Sequence, residues 1–188
     1  ALLIASEEII SALFGYGSFD QVSAINSGKA LYYFALGLPA FSLIKVFSSF
    51  FFANHDTKIP FYISLFSVLI NIVISISYFG EIGFIIIPIA TTISSWLNAI
   101  LLFAFLKNRD LFSFNNIFLV RFVKIIIASL LMAIFFNFLI TYFKYELAFN
   151  QNIKSFYLIL SVILSLLFYL LVSYWIKAFK TSDIKLKY

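Results

Sequence analysis

Long runs of apolar residues, separated by short polar segments, dominate this chain. Most runs are long enough to cross about 30 Å of hydrocarbon as an α-helix, which rises about 1.5 Å per residue. The first run is too short for a full span and is typical of the end of a truncated helix. The pattern therefore predicts one truncated and five complete membrane-spanning helices, over residues 1–14, 30–53, 59–79, 82–106, 117–143 and 155–176.

The segments between the apolar runs are short, which makes neighbouring helices antiparallel. The predicted connections are residues 15–29, 54–58, 80–81, 107–116 and 144–154. The first of them is rich in Gly, Ser and Asn, which is loop composition. Asp20 or Ser23 is expected to cap the helix that follows it.

The composition agrees with a membrane protein. Hydrophobic residues make up 63% of the chain and charged residues 11%, and the mean hydropathy is +1.06. A soluble domain is about half apolar and about a quarter charged, so the fold class is an all-α, polytopic integral membrane bundle. No cysteine is present, which excludes disulfides and thiolate chemistry within these residues. The net charge of +5 follows from basic residues at helix ends, and we expect no nucleic-acid partner.

Lysine and arginine are distributed unevenly between the two predicted sides of the membrane. Nine lie on one side: Lys58, Lys107, Arg109, Arg121, Lys124, Lys177, Lys180, Lys185 and Lys187. Three lie on the other side: Lys29, Lys144 and Lys154. The positive-inside rule therefore predicts that the C-terminus lies in the cytoplasm.

Polar side chains recur on one face of each of three successive predicted helices. They are Ser42, Lys45 and Ser49 on the second helix, Ser64, Ser67, Asn71, Ser75 and Tyr78 on the third, and Thr91, Ser95 and Asn98, with Ser94 beside them, on the fourth. Hydrocarbon penalises such stripes, so we expect them to face each other or a hydrated cavity. The alternative is that the small hydroxyl side chains only bond their own helix backbone or support packing.

Lys45 is the residue that most needs explanation, because an ionisable group inside a membrane helix costs on the order of 3 kcal/mol. The end of its helix near Ala53 is about eight residues, or roughly 12 Å, away, and a lysine side chain spans only part of that distance. No acidic residue in the five complete spans lies at a similar depth. The pattern favours an anionic substrate, or a carboxylate elsewhere in a longer protein, as its partner.

Two further features concern bending and packing. Gly37, Pro39 and Pro88 interrupt the second and fourth predicted helices, which indicates either hinges or static kinks. Small residues on the last two helices permit close packing or form a groove for a long lipid tail; they are Ala128, Ser129, Ala133, Ser161 and Ser165.

No phosphate-binding loop, HExxH motif or other catalytic arrangement is present in the sequence, so we expect no enzyme.

The stretch FGYGSFD, followed by ALYYFALGLPAFSLIKVFSSFFFANHDTKIP, resembles the MurJ (MviN) family of lipid II flippases in the MOP transporter superfamily. The matching positions are Ala30, Leu31, Phe34, Gly37, Leu38, Pro39, Lys45, Val46, Asp56, Thr57, Lys58 and Pro60. The resemblance covers essentially the whole chain, and is weaker after about residue 100. It implies that the 188 residues are the C-terminal lobe, helices nine to fourteen, of a fourteen-helix protein whose N-terminal lobe lies outside this sequence.

The resemblance also implies a function. The family moves an undecaprenyl-linked peptidoglycan precursor, lipid II, across the bacterial inner membrane by alternating access, for cell-wall biogenesis. It implies a lipid-tail groove between the last two helices, and a sodium site to which Asn71 and Thr91 correspond. Ser75 stands at the place of an acidic residue of that site. The alternatives are another MOP-type exporter, of lipid-linked oligosaccharides or drugs, and a non-transporting membrane scaffold.

Overall fold

A computed structural model describes residues 1–109 and 116–178, the side chains of residues 116 and 117 excepted. The described residues form six α-helices and no strand. The helices are α1 (Ser6–Phe14), α2 (Gln21–Ala53), α3 (Lys58–Ile82), α4 (Ile86–Asn108), α5 (Asn116–Tyr142) and α6 (Lys154–Trp175). The C-terminal lysines of the charge count, Lys180, Lys185 and Lys187, lie outside the described residues.

Four stretches of the described chain are long and apolar enough to cross a membrane, namely Gln21–Ala53, Lys58–Asn108, Phe118–Tyr142 and Lys154–Trp175. The second of these is 51 residues long and consists of α3 and α4 with one turn of 3-10 helix, Gly83–Ile85, between them. The prediction of an all-α, multi-pass membrane fold is therefore confirmed. Two of its boundaries need correction.

The first correction concerns the predicted loop at residues 15–29. The loop ends at Asp20, because α2 already begins at Gln21 and runs for 33 residues. The Asp20 carboxylate accepts a hydrogen bond from the Ser23 backbone N–H at 2.8 Å, which confirms the predicted cap. Hydrogen bonds from Ser23 also hold the pKa of the Asp20 carboxyl below its usual value. After this cap, α2 continues through the small polar residues that were predicted as a loop. None of these residues is proline, so each can take part in the helix.

The second correction concerns the turn predicted at residues 80–81 and the break predicted at Pro88. The structure continues α3 to Ile82 and places the turn at Gly83, whose φ of 71° is a conformation that glycine adopts without strain. Pro88 lies in the first turn of α4, where a helix does not use the backbone N–H that proline lacks. Pro88 therefore does not interrupt a helix, whereas Pro39 does lie inside α2.

The chain divides into two compact units. The central unit is Asn26–Ser113, and the terminal unit combines Ala1–Ile25 with Phe114–Tyr188. In the central unit α4 is hydrogen bonded to both other helices. The bonded positions on α2 and α4, 33 with 92 and 36 with 96, run in parallel order, whereas those on α3 and α4, 71 with 91 and 64 with 98, run in antiparallel order. A buried apolar cluster joins all three helices; its members are Phe47, Phe51, Ile63, Leu102 and Leu106.

One end of the central unit is closed by the turn between α2 and α3. The Asp56 carboxylate accepts hydrogen bonds from the backbone N–H groups of Lys58 (3.1 Å) and Ile59 (3.3 Å), and so caps α3. Its second oxygen pairs with the Arg109 guanidinium at the end of α4, at 2.7 Å. The backbone bond from Ile59 and the contact with Arg109 hold the pKa of the Asp56 carboxyl below its usual value.

The terminal unit is built on an antiparallel pair, α5 and α6. The rings of Phe135 and Phe168 stack with their centroids 4.5 Å apart, and those of Phe143 and Tyr157 lie 5.1 Å apart. The short helix α1 packs on α6. A buried apolar cluster holds this unit together; it consists of Ala5, Ala12, Phe136, Ile140, Leu147 and Leu158.

Lys154, the first residue of α6, connects the loop that follows α1 with the loop that precedes α6. It is 1% exposed, and its ammonium group donates hydrogen bonds to the carbonyls of Gly15 and Phe149, both at 2.6 Å. The same group lies 4.5 Å from the ring centroid of Tyr16 and 4.4 Å from that of Phe149. Aromatic faces attract a desolvated cation, so carbonyls and rings together replace the water that the charge has lost. The Tyr16 hydroxyl also hydrogen bonds Ser155, at 2.7 Å.

We expect substitution of Lys154 by Met to lower the melting temperature of the complete, detergent-solubilised protein. The change leaves two carbonyls without their donor, and each buried polar group left unpaired costs about 1–3 kcal/mol. Lys144→Met is the matched control, because Lys144 is an exposed lysine at the end of α5. Equal melting temperatures for the two variants would contradict the stabilising role of the Lys154 hydrogen bonds.

Candidate functional site

The polar stripes of α3 and α4 face each other in the central unit. The side-chain amide of Asn71 donates to the Thr91 hydroxyl at 3.1 Å and to the Ser94 hydroxyl at 3.3 Å. Farther along the pair, the Asn98 amide donates to the Ser64 hydroxyl at 3.4 Å. Two of the three predicted stripes are thus brought together as interhelical hydrogen bonds, which are a normal source of helix association in membranes.

The hydroxyl groups on α4 also bond their own helix. Thr91 donates to the carbonyl of Ile87 at 2.8 Å, while Ser94 and Ser95 donate to the carbonyl of Thr91 at 3.0 and 2.6 Å. Ser95 and Asn98 are each 7% exposed. The predicted cavity residues Ser95 and Asn98 are therefore buried between helices in this structure.

Two atoms of this contact lack a hydrogen-bond partner. They are the Ser75 hydroxyl oxygen and the Asn98 side-chain oxygen, both inaccessible to solvent. A buried polar atom without a partner costs free energy, so the contact is not fully satisfied. The interhelical hydrogen bonds between α3 and α4 form a row that we call the polar ladder. Ser75 lies one turn after Asn71, at the end of this ladder nearest the α3–α4 turn.

The third stripe, on α2, does not join the ladder. Ser42, Lys45 and Ser49 are all exposed in the central unit. The two serines donate to carbonyls of their own helix, Ser42 to Leu38 at 3.1 Å and Ser49 to Val46 at 2.6 Å. Among residues 1–109 and 116–178, no hydrogen bond or ion pair is found for the Lys45 ammonium. Lys45 is therefore a cation on an open helix face, flanked one turn away on each side by satisfied hydroxyls.

Helix α2 is hydrogen bonded to α4 through its other face, in the turns that precede Pro39. The Thr92 hydroxyl donates to the carbonyl of Tyr33 at 2.7 Å, and the Trp96 indole N–H donates to the carbonyl of Leu36 at 3.0 Å. The sequence reading missed both donors. Their spacing of four residues, which places them on one face of α4, was the available signal.

Most of the small residues of the predicted lipid-tail groove, on α5 and α6, are buried. Ala128 and Ser161 are 0% exposed and Ser165 is 3% exposed, while Ala133 is half-buried. The two serines donate to carbonyls of their own helix, Ser161 to Tyr157 at 2.8 Å and Ser165 to Ser161 at 2.6 Å. Ala128, Ser161 and Ser165 are thus buried in this structure, and the lipid-tail groove stays a prediction.

The contact between Asn71 and Thr91 can be examined as a sodium site. Neutral oxygens are available on Asn71, Thr91 and Ser94, but the Asn71 amide is placed with its NH₂ group toward both hydroxyls. No carboxylate stands in the ladder, because Ser75 occupies the position one turn later. Among the described residues, no group of three His, Cys, Asp or Glu side chains that could hold a metal ion is found. The fit to a cation is therefore incomplete, and no step is derived through one.

These features define the class of the protein. Apolar helices of membrane-spanning length that are joined by interhelical hydrogen bonds are those of a multi-pass membrane protein. The family model of the lipid II flippase MurJ matches residues 1–158. The chain belongs to this family, which is a family of transporters.

Individual relatives agree with the family model. The chain is 38% identical over 133 residues to a "Probable lipid II flippase MurJ" of Rhizobium meliloti, covering 71% of this chain and 25% of the relative. It is 36% identical over 104 residues to the protein of the same name from Rickettsia prowazekii, covering 55% of this chain and 20% of the relative. The corresponding Thermotoga maritima protein is 34% identical over 131 residues, covering 70% and 26%. The chain thus spans about a quarter of the length of the curated relatives it matches.

We expect a double-mutant cycle of Asn71→Leu and Thr91→Val to show that the two side chains are coupled. Interhelical hydrogen bonds in membrane proteins are worth about 0.6 kcal/mol on average and about 1.7 kcal/mol at most, so the coupling energy should lie in that range. The measurement is the free energy of unfolding of the complete protein in detergent. Ser77→Ala, at an exposed serine of α3, is the control and should show no coupling to Thr91→Val. Strictly additive effects of Asn71→Leu and Thr91→Val would contradict the ladder.

Proposed function

We propose that this chain is part of a lipid II flippase, which carries the undecaprenyl-linked peptidoglycan precursor across the bacterial inner membrane by alternating access in cell-wall biogenesis. Membership of the family and relatives that carry the flippase name support this proposal. The remainder of such a protein, an N-terminal lobe, would complete the transport path. In this proposal the protein is a transporter and not an enzyme, and the C-terminus lies in the cytoplasm.

The observation that carries the proposal is the open face of α2 around Lys45. A lysine in a membrane span is stabilised by a counter-charge or by water, and in the described residues no carboxylate pairs with it. The pyrophosphate of a lipid-linked precursor is an anion of the required kind, and lysine binds phosphate as a point charge. Ser42 and Ser49 would line the same face of the substrate cavity, with Ser75, Ser95 and Asn98 behind it on the buried α3–α4 contact.

The other elements have proposed roles of their own. Gly37 and Pro39 would form a hinge in α2. The isoprenoid tail would lie against the apolar outer surface of α5 and α6, beside the packed small residues. A sodium ion of the kind that the family resemblance implies would be held by Asn71 and Thr91, but Ser75 stands where the acidic ligand would be, so no transport step is assigned to an ion.

Substituting Lys45 by Met in the complete protein should abolish growth of cells that depend on it, because the substrate's phosphates would lose their counter-charge. The variant should still reach the membrane in normal amount, which immunoblotting of membrane fractions measures. Lys29→Met is the control on the same helix, at an exposed position near its beginning, and should support growth. Normal growth of the Lys45→Met strain would show that this role of Lys45 is wrong.

The activity itself is tested by depleting the complete protein and measuring lipid II in the inner leaflet of the membrane. We expect lipid II to accumulate there, since the precursor is made on the cytoplasmic side and can no longer cross. If lipid II does not accumulate while depletion is complete, the flippase proposal fails. An exporter of another lipid-linked sugar would give that second result.

A further inference from the structure

Helix α2 has a weak turn at its centre. Pro39 has no backbone N–H, so the carbonyl of Ala35 loses its helical donor, and the proline ring pushes against the preceding turn. Gly37 stands in the same turn and adds backbone freedom. In a membrane such a break is tolerated where neighbouring helices supply hydrogen bonds to the loosened backbone.

Helix α4 supplies those hydrogen bonds from two side chains. Thr92 donates to the carbonyl of Tyr33 at 2.7 Å, and Trp96 donates to the carbonyl of Leu36 at 3.0 Å. The acceptors, Tyr33 and Leu36, precede Pro39 by six and three residues, so they flank the carbonyl of Ala35 without replacing its missing donor. The two donors therefore hold the loosened turn from outside the helix.

Gly37 makes this contact possible. A Cβ atom built at this position would lie 3.1 Å from the Thr92 hydroxyl oxygen and 3.5 Å from the Thr92 Cα. The first distance is tighter than usual and the second is an ordinary contact, so a residue with a Cβ atom would require the Thr92 hydroxyl to shift by a few tenths of an ångström. The close approach of the two backbones and the two side-chain donors are parts of one contact.

The contact lies close to Lys45 along the helix. Lys45 follows Pro39 by six residues, or about 9 Å of helix. A change of about 20° in the bend at Pro39, the size of an ordinary sharp kink, moves the Lys45 backbone by about 3 Å. A displacement of that size is enough to break a contact between an ammonium group and a phosphate oxygen.

We propose that Thr92 and Trp96 are positioning residues: by holding the turn before Pro39 they set the bend of α2, and so set where Lys45 presents its charge. This inference rests on the proposed function only for the importance of Lys45. Pro39 and the two hydrogen bonds from α4 all belong to the described central unit. Bending of α2 during transport would require these two hydrogen bonds to break or exchange.

The test uses Thr92→Val and Trp96→Phe, singly and together, in the complete protein freed of any cysteine. Each change removes a donor and keeps most of the side-chain shape. Single cysteines are placed after the break, at Ser42 and Ser49, and before it, at the exposed Tyr32. Their reaction rates with a membrane-impermeant thiol reagent are measured in native membranes, which is practicable because this chain has no cysteine of its own.

In the double variant we expect the rates at the two positions after the break to change by about threefold or more, which is the population shift that loss of interhelical hydrogen bonds of average strength produces. The rate at Tyr32→Cys should stay within error. Trp175→Phe, at the other tryptophan of the chain, which is 88% exposed, is the control and should change none of the rates. Growth supported by the double variant should fall, with a normal amount of protein in the membrane.

Unchanged rates at Ser42→Cys and Ser49→Cys would overturn the proposal. An equal change at Tyr32→Cys would overturn it as well, because it would indicate general loosening of the helix instead of a held bend. If the rates change as expected while Lys45→Met cells grow normally, the two donors do set the bend, and it is the proposed role of Lys45 that fails.

Discussion

Hydrogen bonds that α4 makes to both of its neighbours are the interaction on which the central unit depends. Within hydrocarbon no water competes for polar groups, so each side-chain donor must find its acceptor inside the protein. On one face of α4, Thr91, Ser94 and Asn98 pair with the polar stripe of α3; on another, Thr92 and Trp96 bond the backbone of α2. One helix thereby fixes the positions of two others.

This arrangement explains why the stripe on α2 is left open. The face of α2 that carries Gly37 is occupied by α4, so the face with Lys45 is turned away from that contact. Its charge is then available to a partner from outside the central unit. In the terminal unit, by contrast, the buried charge of Lys154 is already satisfied by carbonyls and aromatic rings, and serves to hold two loops together. The two lysines show how burial and partners decide whether a charge in such a protein is structural or available.

Much of this could be predicted from the sequence, because length and hydropathy determine which segments can span a bilayer. The facing stripes of α3 and α4 followed from helical periodicity, and the Asp20 cap from the preference of helix starts for short polar side chains. The sequence predicts too late a start for α2, because Ser, Asn and Gly are typical loop residues, although the cap at Asp20 begins a helix through them. It predicts a break at Pro88 because it places the turn before Gly83. The spacing of Thr92 and Trp96 places them on one face of α4, but the sequence does not show the acceptors of these side chains or of Lys154, because every residue carries a backbone carbonyl.

Disulfide cross-linking in native membranes tests the central claim most directly. Cysteines replacing Ser64 and Asn98, whose side chains are hydrogen bonded across α3 and α4, should form a disulfide rapidly under mild oxidation. A cysteine replacing Ser49 on α2, paired with the same cysteine at position 98, should remain reduced, because the α2 stripe faces away from α4. Rapid cross-linking of the second pair, without cross-linking of the first, would contradict the arrangement in which α4 pairs its polar face with α3 and leaves the lysine face of α2 open.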